Sequence, residues 1–352
     1  MSRTSDALSL AWFAALCDDD YEQLGVPDER LLSSPEHCGD IVRAADDVGF
    51  DSILMPSGYA LGIDTVTFTA SIAASTSRIR PIVAVRVGEV WLPTLARQLA
   101  TLDRLLEGRL LINIISSEMP GEELDAGPRY RRTLEHMAGL RRLLDGERLE
   151  VDGEWLRLAV DPPRVTTTTG TCPPLYFGGL SEDAREVAAQ QADVYLMWPD
   201  TMDRVADLIA DMRARSARYG RQLAFGYRVH VIVRPTEIEA RAAAHHLLDA
   251  LDPETGEVIR SRSLDSTSTG VRAQASLREQ SDVEGFVEPN LWTGIGRARS
   301  GCGAAIVGSP EQVVAKIEAY RELGIETFIL SGYPHLDECR RVAELVLPGL
   351  RN

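Results

Sequence analysis

Arg228 and His230 lie two residues apart inside one apolar run, LAFGYRVHVIVR, from Leu223 to Arg234. Residues two apart on an extended segment share a face, so a permanent cation and a titratable imidazole point the same way. Taken alone, the two could equally face outward as a salt-bridging pair. Two distant stretches carry more donors: GIGRARSG supplies Arg297 and Arg299, and SGYPHL supplies Tyr333 and His335. Together they suit an anion with several oxygens, such as a sulfonate, a phosphate or an oxyanion formed during reaction. The guanidinium contributes electrostatics, and the imidazole is the better proton-transfer candidate. A second pattern is FGGLSEDA, which reads as a strand, a glycine turn and a helix start. Gly178 and Gly179 let backbone approach a ligand, and the helix N-terminus offers N–H groups to a phosphate; the alternative is a tight turn with Ser181 as a simple helix cap. Trp198 ends a strand, either as core or as a wall for a planar ligand. No well-placed carboxylate pair, G-x-S-x-G elbow, H-E-x-x-H or P-loop is present, and no G-x-G-x-x-G follows the first strand. Glycosidase, serine-hydrolase, zinc-protease and dinucleotide chemistry are therefore disfavoured.

Eight short apolar runs must position these residues: Leu8–Leu16, Phe50–Met55, Ile79–Arg86, Arg109–Ser116, Pro174–Phe177, Val194–Trp198, Leu223–Arg234 and Phe328–Ser331. Amphipathic segments separate them, among them Pro35 to Val48 closed by Gly49, Pro128 to Leu144, and a helix opened by Ser309-Pro310. Asp152-Gly153 signals a hairpin. Alternating buried strands and helices predict a parallel sheet covered on both faces, and eight units predict an α/β TIM (β/α)8 barrel, residues 1–352 forming a single domain. Its functional residues belong at the C-terminal strand ends, where the donors above and Asn113 of the fourth strand fall. The stretch from about 252 to 300 breaks the rhythm. It is polar, carries six arginines including Arg262, and reads as a lid, a binding loop or a disordered insertion.

Of 352 residues, 44% are hydrophobic and 26% charged, as in ordinary soluble chains. The formal charge of −16 disfavours nucleic acid or an anionic membrane as partner, while leaving room for a small anion in a locally positive pocket. Lys316 is the single lysine, and arginine suits bidentate anion binding. Five cysteines without C-x-x-C spacing read as free thiols in a reducing cytoplasm, with no metal site. No apolar run spans a membrane, and MSRTSDALSL lacks the pattern of a secretory signal, so a cytoplasmic location is expected. His37, His136, His245 and His246 fall in helical patterns and read as surface or packing residues.

PPLYFGGLSEDA, DVYLMW, FGYRVHVIVR, EPNLWTGIGRARSGCGAAIVGSPEQV and GIETFILSGYPHL, with LARQLATLDRLLEGRLLINI, resemble the bacterial luciferase-like flavin-dependent monooxygenases. The resemblance is strongest to the alkanesulfonate monooxygenase branch and runs from Ser9 to Leu350. It implies a TIM barrel that receives reduced FMN from a separate NAD(P)H-dependent flavin reductase, activates O2 on it, and cleaves a small anionic organosulfonate to aldehyde and sulfite. It also implies a homo-oligomer, dimer or tetramer. By the same resemblance Arg228 stabilises the peroxy anion and the sulfonate, and His230 moves a proton. Arg299 arrives with a mobile insertion that excludes water, while Tyr333 and His335 complete the donor set. Asn113, Tyr130, Gly178, Gly179, Leu180, Ser181 and Trp198 would line the flavin, with Tyr130 and the Gly-Gly-Leu-Ser turn at its phosphate. The chain departs from the branch in two loops. Pro56 to Gly62 lacks the cysteine found there, and Ile114 to Glu118 differs from the usual Val-Thr-Gly-Ser-Asp type. Both changes leave the flavin chemistry and open the substrate to a sulfonated sugar, a sulfone or a ketone. A deazaflavin-dependent dehydrogenase of the same superfamily is the rival reaction class.

Overall fold

The eight apolar runs become the eight staves of a closed parallel barrel in a computed structural model that describes residues 8–261 and 268–351. Thirteen strands follow one another among the described residues: β1 (Ser9–Phe13), β2 (Ser52–Met55), β3 (Arg80–Arg86), β4 (Leu111–Ile115), the antiparallel pair β5 (Leu149–Asp152) and β6 (Arg157–Val160), β7 (Leu175–Phe177), β8 (Val194–Met197), β9 (Ala224–Val233), β10 (Phe286–Glu288), β11 (Leu291–Trp292), β12 (Ala305–Gly308) and β13 (Thr327–Ser331). The staves run β9-β13-β1-β2-β3-β4-β7-β8 and close where Ala224 to Met197's partner Tyr227 pair with β8. The expected TIM barrel is therefore the observed one. The Asp152-Gly153 signal marks a real hairpin, joined by residues 153–156.

Alternation sorts the barrel interior from the helix-facing side. Ala11, Leu54, Ile82, Leu111, Tyr176 and Ile329 form an interior cluster. Ile329 is the partner of Arg228, and Ser331, two further on, is the partner of His230. Arg228 and His230 therefore face the interior, not the outer helices. Trp12, Ile53 and Val83, one residue out of phase, join the larger cluster that includes helix residues such as Ile41 and Leu99.

Helix boundaries follow local chemistry. Pro35–Val48 starts where the Ser34 side chain accepts from the His37 N–H at 3.0 Å and stops at Gly49 with φ 93°. Pro310–Glu322 opens with a capping box between Ser309 and Gln312. Among the described residues no helix is long and apolar enough to cross a membrane.

β9 is ten residues long and does double duty. Its first part pairs with β8 and β13, and residues 230–233 pair with β12, which lies outside the closed ring. β12 anchors the region read as an irregular insertion. That region contains helices Pro253–Ser261 and Thr269–Glu279, then β10 and β11, and it is tied down by its own polar groups. Gln274 donates to the Pro199 carbonyl at 2.7 Å, and Arg278 donates to the Gly296 carbonyl at 2.6 Å. Arg260 donates to the Arg297 carbonyl. The polar sequence hides this order because its arginines and glutamine are spent on backbone carbonyls. Arg262 lies outside the described residues.

Candidate active site

A cavity of about 330 Å³ opens at the C-terminal mouth of the barrel. Strand ends supply Phe13, Arg86, Asn113 and Arg228, and the insertion covers them with Ile259, Val271 and the Ala298–Cys302 segment. Arg299 and Tyr333 also line it, as does Trp198. Five of the twelve residues singled out in the sequence thus meet in one space: Asn113, Trp198, Arg228, Arg299 and Tyr333.

Arg228 is 3% exposed, and its Cζ lies 4.0 Å from the centroid of the Phe13 ring. Its Nη1 donates to Ser331 Oγ at 2.8 Å, and among the described residues Nη2 has no hydrogen-bond partner. Burial pushes its pKa down to about 10, so it remains charged at neutral pH. His230 is fully buried behind it, stacked on Tyr333 at 5.2 Å, with Nδ1 2.8 Å from the same Ser331 Oγ. Burial first, and the Arg228 charge second, hold its imidazole well below the usual range, so the ring is neutral. Arg299 donates through Nη1 to Asp19 Oδ2 at 2.7 Å and to the Tyr333 hydroxyl at 2.8 Å. Burial opposes its charge, but Tyr333 and Asp19 outweigh that and strengthen it. Burial raises Tyr333 above the ordinary phenol range and keeps it protonated.

His335 is placed differently. It is fully buried and does not line the cavity; its Nδ1 lies 2.8 Å from Asp20 Oδ1, whose other oxygen is 2.9 Å from His37 Nε2. Burial works against the Asp20 carboxylate, yet the two imidazoles hold it below the usual carboxylate range. His37, which looked bland, joins this pair from a partly exposed position.

The Gly-Gly-Leu-Ser turn also lies beside the cavity and not in its wall. A Cβ on Gly178 would stand 2.3 Å from the Leu196 carbonyl oxygen, and one on Gly179, with φ 149°, 2.7 Å from the Ala184 Cβ. Packing against the neighbouring strand demands Gly178, and packing against the following helix with a positive φ demands Gly179, with no ligand needed to explain either. Ser181 accepts from the Ala184 N–H at 3.2 Å and caps helix Glu182–Gln191. The Tyr130 hydroxyl stands 3.7 Å from the Cβ position of Gly179, so tyrosine and helix start do share one corner. The Pro56–Leu61 loop lines the cavity, so the departure in that loop is at the pocket, whereas residues 114–118 are not among the lining residues. A Cβ on Gly58 would lie 3.3 Å from Cys17 Sγ, which brings a thiol from the neighbouring loop to that wall. Burial raises the Cys17 thiol, and it is not a thiolate. Sequence spacing did not reveal Asp19 or Arg86. Arg86 carried a signal, since it ends an apolar strand; its Nε donates to Glu89 at 2.8 Å. Among the described residues no cluster of three or more His, Cys, Asp or Glu could hold a metal ion.

A profile of luciferase-like monooxygenases matches residues 12–327. The chain belongs to the luciferase-like monooxygenase family. Within this family it is 59% identical to a sulfoquinovose monooxygenase of Novosphingobium aromaticivorans over 97% of both chains. It is 50% identical to a sulfoquinovose monooxygenase of Agrobacterium fabrum over 98% of this chain and 90% of that one. Among solved structures, a riboflavin lyase superposes with a TM-score of 0.80 at 18% identity, covering 98% of this chain and 91% of that one. An EDTA monooxygenase from a Chelativorans species gives a TM-score of 0.79 at 16% identity, covering 98% and 93%. These two likenesses establish the fold. Both relatives are named as sulfoquinovose monooxygenases, whereas the sequence motifs resemble the alkanesulfonate monooxygenase branch.

Proposed function

We propose that this monooxygenase is the oxygenase of a two-component system, accepts reduced FMN from a separate reductase, and cleaves the C–S bond of sulfoquinovose, a hexose sulfonated at C6. One oxygen atom of O2 enters the C6 aldehyde and the other leaves as water, while sulfur departs as sulfite. The observation that carries this reading is Arg228: a charged guanidinium, almost wholly buried at the cavity wall, with Nη2 unpartnered. Such a group needs an anionic oxygen to complete it.

The residues fit a flavin in chemistry. Trp198, Phe13 and Leu196 offer flat and apolar wall, and Asn113 adds a polar side chain to the lining. Tyr130 and the N-terminus of helix Glu182–Gln191 are the pair suited to the phosphate. Bound reduced FMN supplies the electrons that split O2. The chain supplies the rest: Arg228 stabilises negative charge, Arg299 and Tyr333 close a donor wall, and the insertion keeps water out. His230 lies behind Arg228 and not in the cavity wall; neutral, and joined to the guanidinium through Ser331, it is suited by its low pKa to accept a proton only transiently. His335 packs edge-on against Tyr333 at 5.0 Å and is held by Asp20.

The test is sulfite release from sulfoquinovose by the purified protein with FMN, NAD(P)H and a flavin reductase in air. Substrate-dependent sulfite in step with oxygen uptake is expected. Flavin-dependent oxygen uptake with no sulfite would defeat the reading.

A further inference from the structure

Asp19 lies in the loop after β1 and lines the same cavity as Arg228 and Arg299. Its Oδ2 accepts from Arg299 Nη1 at 2.7 Å. Its Oδ1 is buried and has no hydrogen-bond partner among the described residues. Both oxygens of each neighbouring carboxylate already have a partner. Asp18 accepts from the Ser33 N–H at 2.8 Å and the Gly62 N–H at 3.0 Å, and Asp20 holds His335 and His37. Asp19 alone among the three has a carboxylate oxygen with no hydrogen-bond partner among the described residues, and Asp19 lines the cavity.

Arg228, 3% exposed, contributes the matching unspent donor, Nη2. The two guanidiniums stand over one ring: Arg228 Cζ is 4.0 Å and Arg299 Cζ 5.4 Å from the Phe13 centroid. A free cationic donor and a free anionic acceptor therefore share one wall. A ligand that satisfies both carries an anionic oxygen group and, a short distance away, a hydroxyl. A plain alkanesulfonate completes Arg228 and leaves Asp19 Oδ1 buried against hydrocarbon, which is costly for a charged acceptor. A carboxylate beside an anion site would also repel a second anionic group, so its partner is a neutral O–H.

We propose that Asp19 is a specificity-determining residue: it accepts a hydrogen bond from a substrate hydroxyl and so selects a sulfonated polyol over an unsubstituted alkanesulfonate. The proposal rests on the sulfonate-cleaving reading above.

The test compares sulfoquinovose with 1-hexanesulfonate on wild type, D19N and R299Q, by calorimetric affinity in the presence of FMN and by kcat/KM for sulfite release. D19N keeps an oxygen for Arg299 and turns its amide N–H groups toward the hydroxyl, so the acceptor is lost while the clasp on Arg299 survives. Sulfoquinovose affinity should fall roughly 10- to 150-fold, as for a hydrogen bond to a charged group. Hexanesulfonate should bind D19N as well as or better than wild type. R299Q, which removes a shared cation, should weaken both ligands alike. If D19N weakens both by the same factor, Asp19 only holds Arg299 and the proposal is overturned; so too if neither affinity changes. Wild type that binds sulfoquinovose in preference to hexanesulfonate yet releases no sulfite defeats the proposed reaction and leaves the binding comparison intact. Wild type that binds neither ligand overturns both.

Discussion

Ser331 joins the two groups on which the site depends, and its removal has calculable consequences. It is fully buried at the end of β13, accepts from Arg228 Nη1 at 2.8 Å, and stands 2.8 Å from His230 Nδ1. Arginine has only donors, so Oγ accepts from it, and the hydroxyl hydrogen is free to turn to Nδ1. In that arrangement the single imidazole proton lies on Nε2. Ser331→Ala deletes one charge-assisted bond, worth about 1.5–3 kcal/mol, and one neutral bond, worth about 1 kcal/mol. The fold should lose about 2–4 kcal/mol by urea unfolding, because both former partners stay buried. Activity should fall further. Arg228 Nη2 is aimed only because Nη1 is pinned, and a misplacement near 1 Å costs about 100-fold. The distinguishing readout is ¹⁵N NMR of the imidazole. In wild type Nδ1 is the unprotonated nitrogen; in S331A the two tautomers mix. A variant within about 0.5 kcal/mol of wild-type stability, with Nδ1 unchanged, refutes the network.

Three further outcomes follow from the same geometry. Arg228→Ala should lower kcat/KM about 10²–10³-fold, as for loss of one oxyanion donor, with circular dichroism unchanged; near-full activity removes it from the chemistry. His230 gives an acid-sensitive fold. Burial, then Arg228, depress its folded pKa below the ordinary 6.5, so beneath that pH the unfolded chain takes up a proton that the folded chain refuses. Stability is complete above about 6.5 and declines by as much as about 1.4 kcal/mol per pH unit below it. H230Q should flatten that part of the stability–pH profile, and an unchanged slope tells against the assignment. Gly179→Ala meets both a φ of 149° and Ala184 at 2.7 Å, and should cost about 1–3 kcal/mol in thermal or urea unfolding; a neutral effect means the turn relaxes freely.

The barrel was legible because each stave is buried on both faces and so reads as a continuous apolar run. The Arg228–His230 pair was legible because a spacing of two fixes a shared face whatever the rest of the chain does. Local rules fail where partners are far apart. Asp19 meets Arg299 across 280 positions, and nothing in CDDD distinguishes the carboxylate that faces the cavity from the two that hold backbone and histidine. The insertion misled for another reason. Its helices bury little apolar surface and are fixed by arginines bonded to carbonyls, a device that leaves no hydrophobic period. β9 gave a fainter clue: its run is longer than the other seven, and the excess is the part that takes β12. His335 was read as a cavity donor from its place after a strand, but a strand end fixes only the neighbourhood. The Asp20 carboxylate decides which way that ring turns.

The electrostatics of the site run against those of the whole chain. A formal charge of −16 repels an anionic substrate at long range, but screening limits that field to about 8 Å at physiological salt. Inside the cavity mouth the nearby groups decide. Arg228 and Arg299 share the wall over Phe13 with Asp19, and Asp19 already compensates Arg299. Arg228 touches only a neutral hydroxyl and an aromatic face, so one buried positive charge has no ion-pair partner among the described residues. A fold selected for stability alone would not retain it, since an unpaired buried cation is destabilising by several kcal/mol. Its retention makes sense if the anionic ligand is the missing partner. Folding then maintains a deficit that binding removes, and the free energy released falls at the atoms where charge must be held during the reaction.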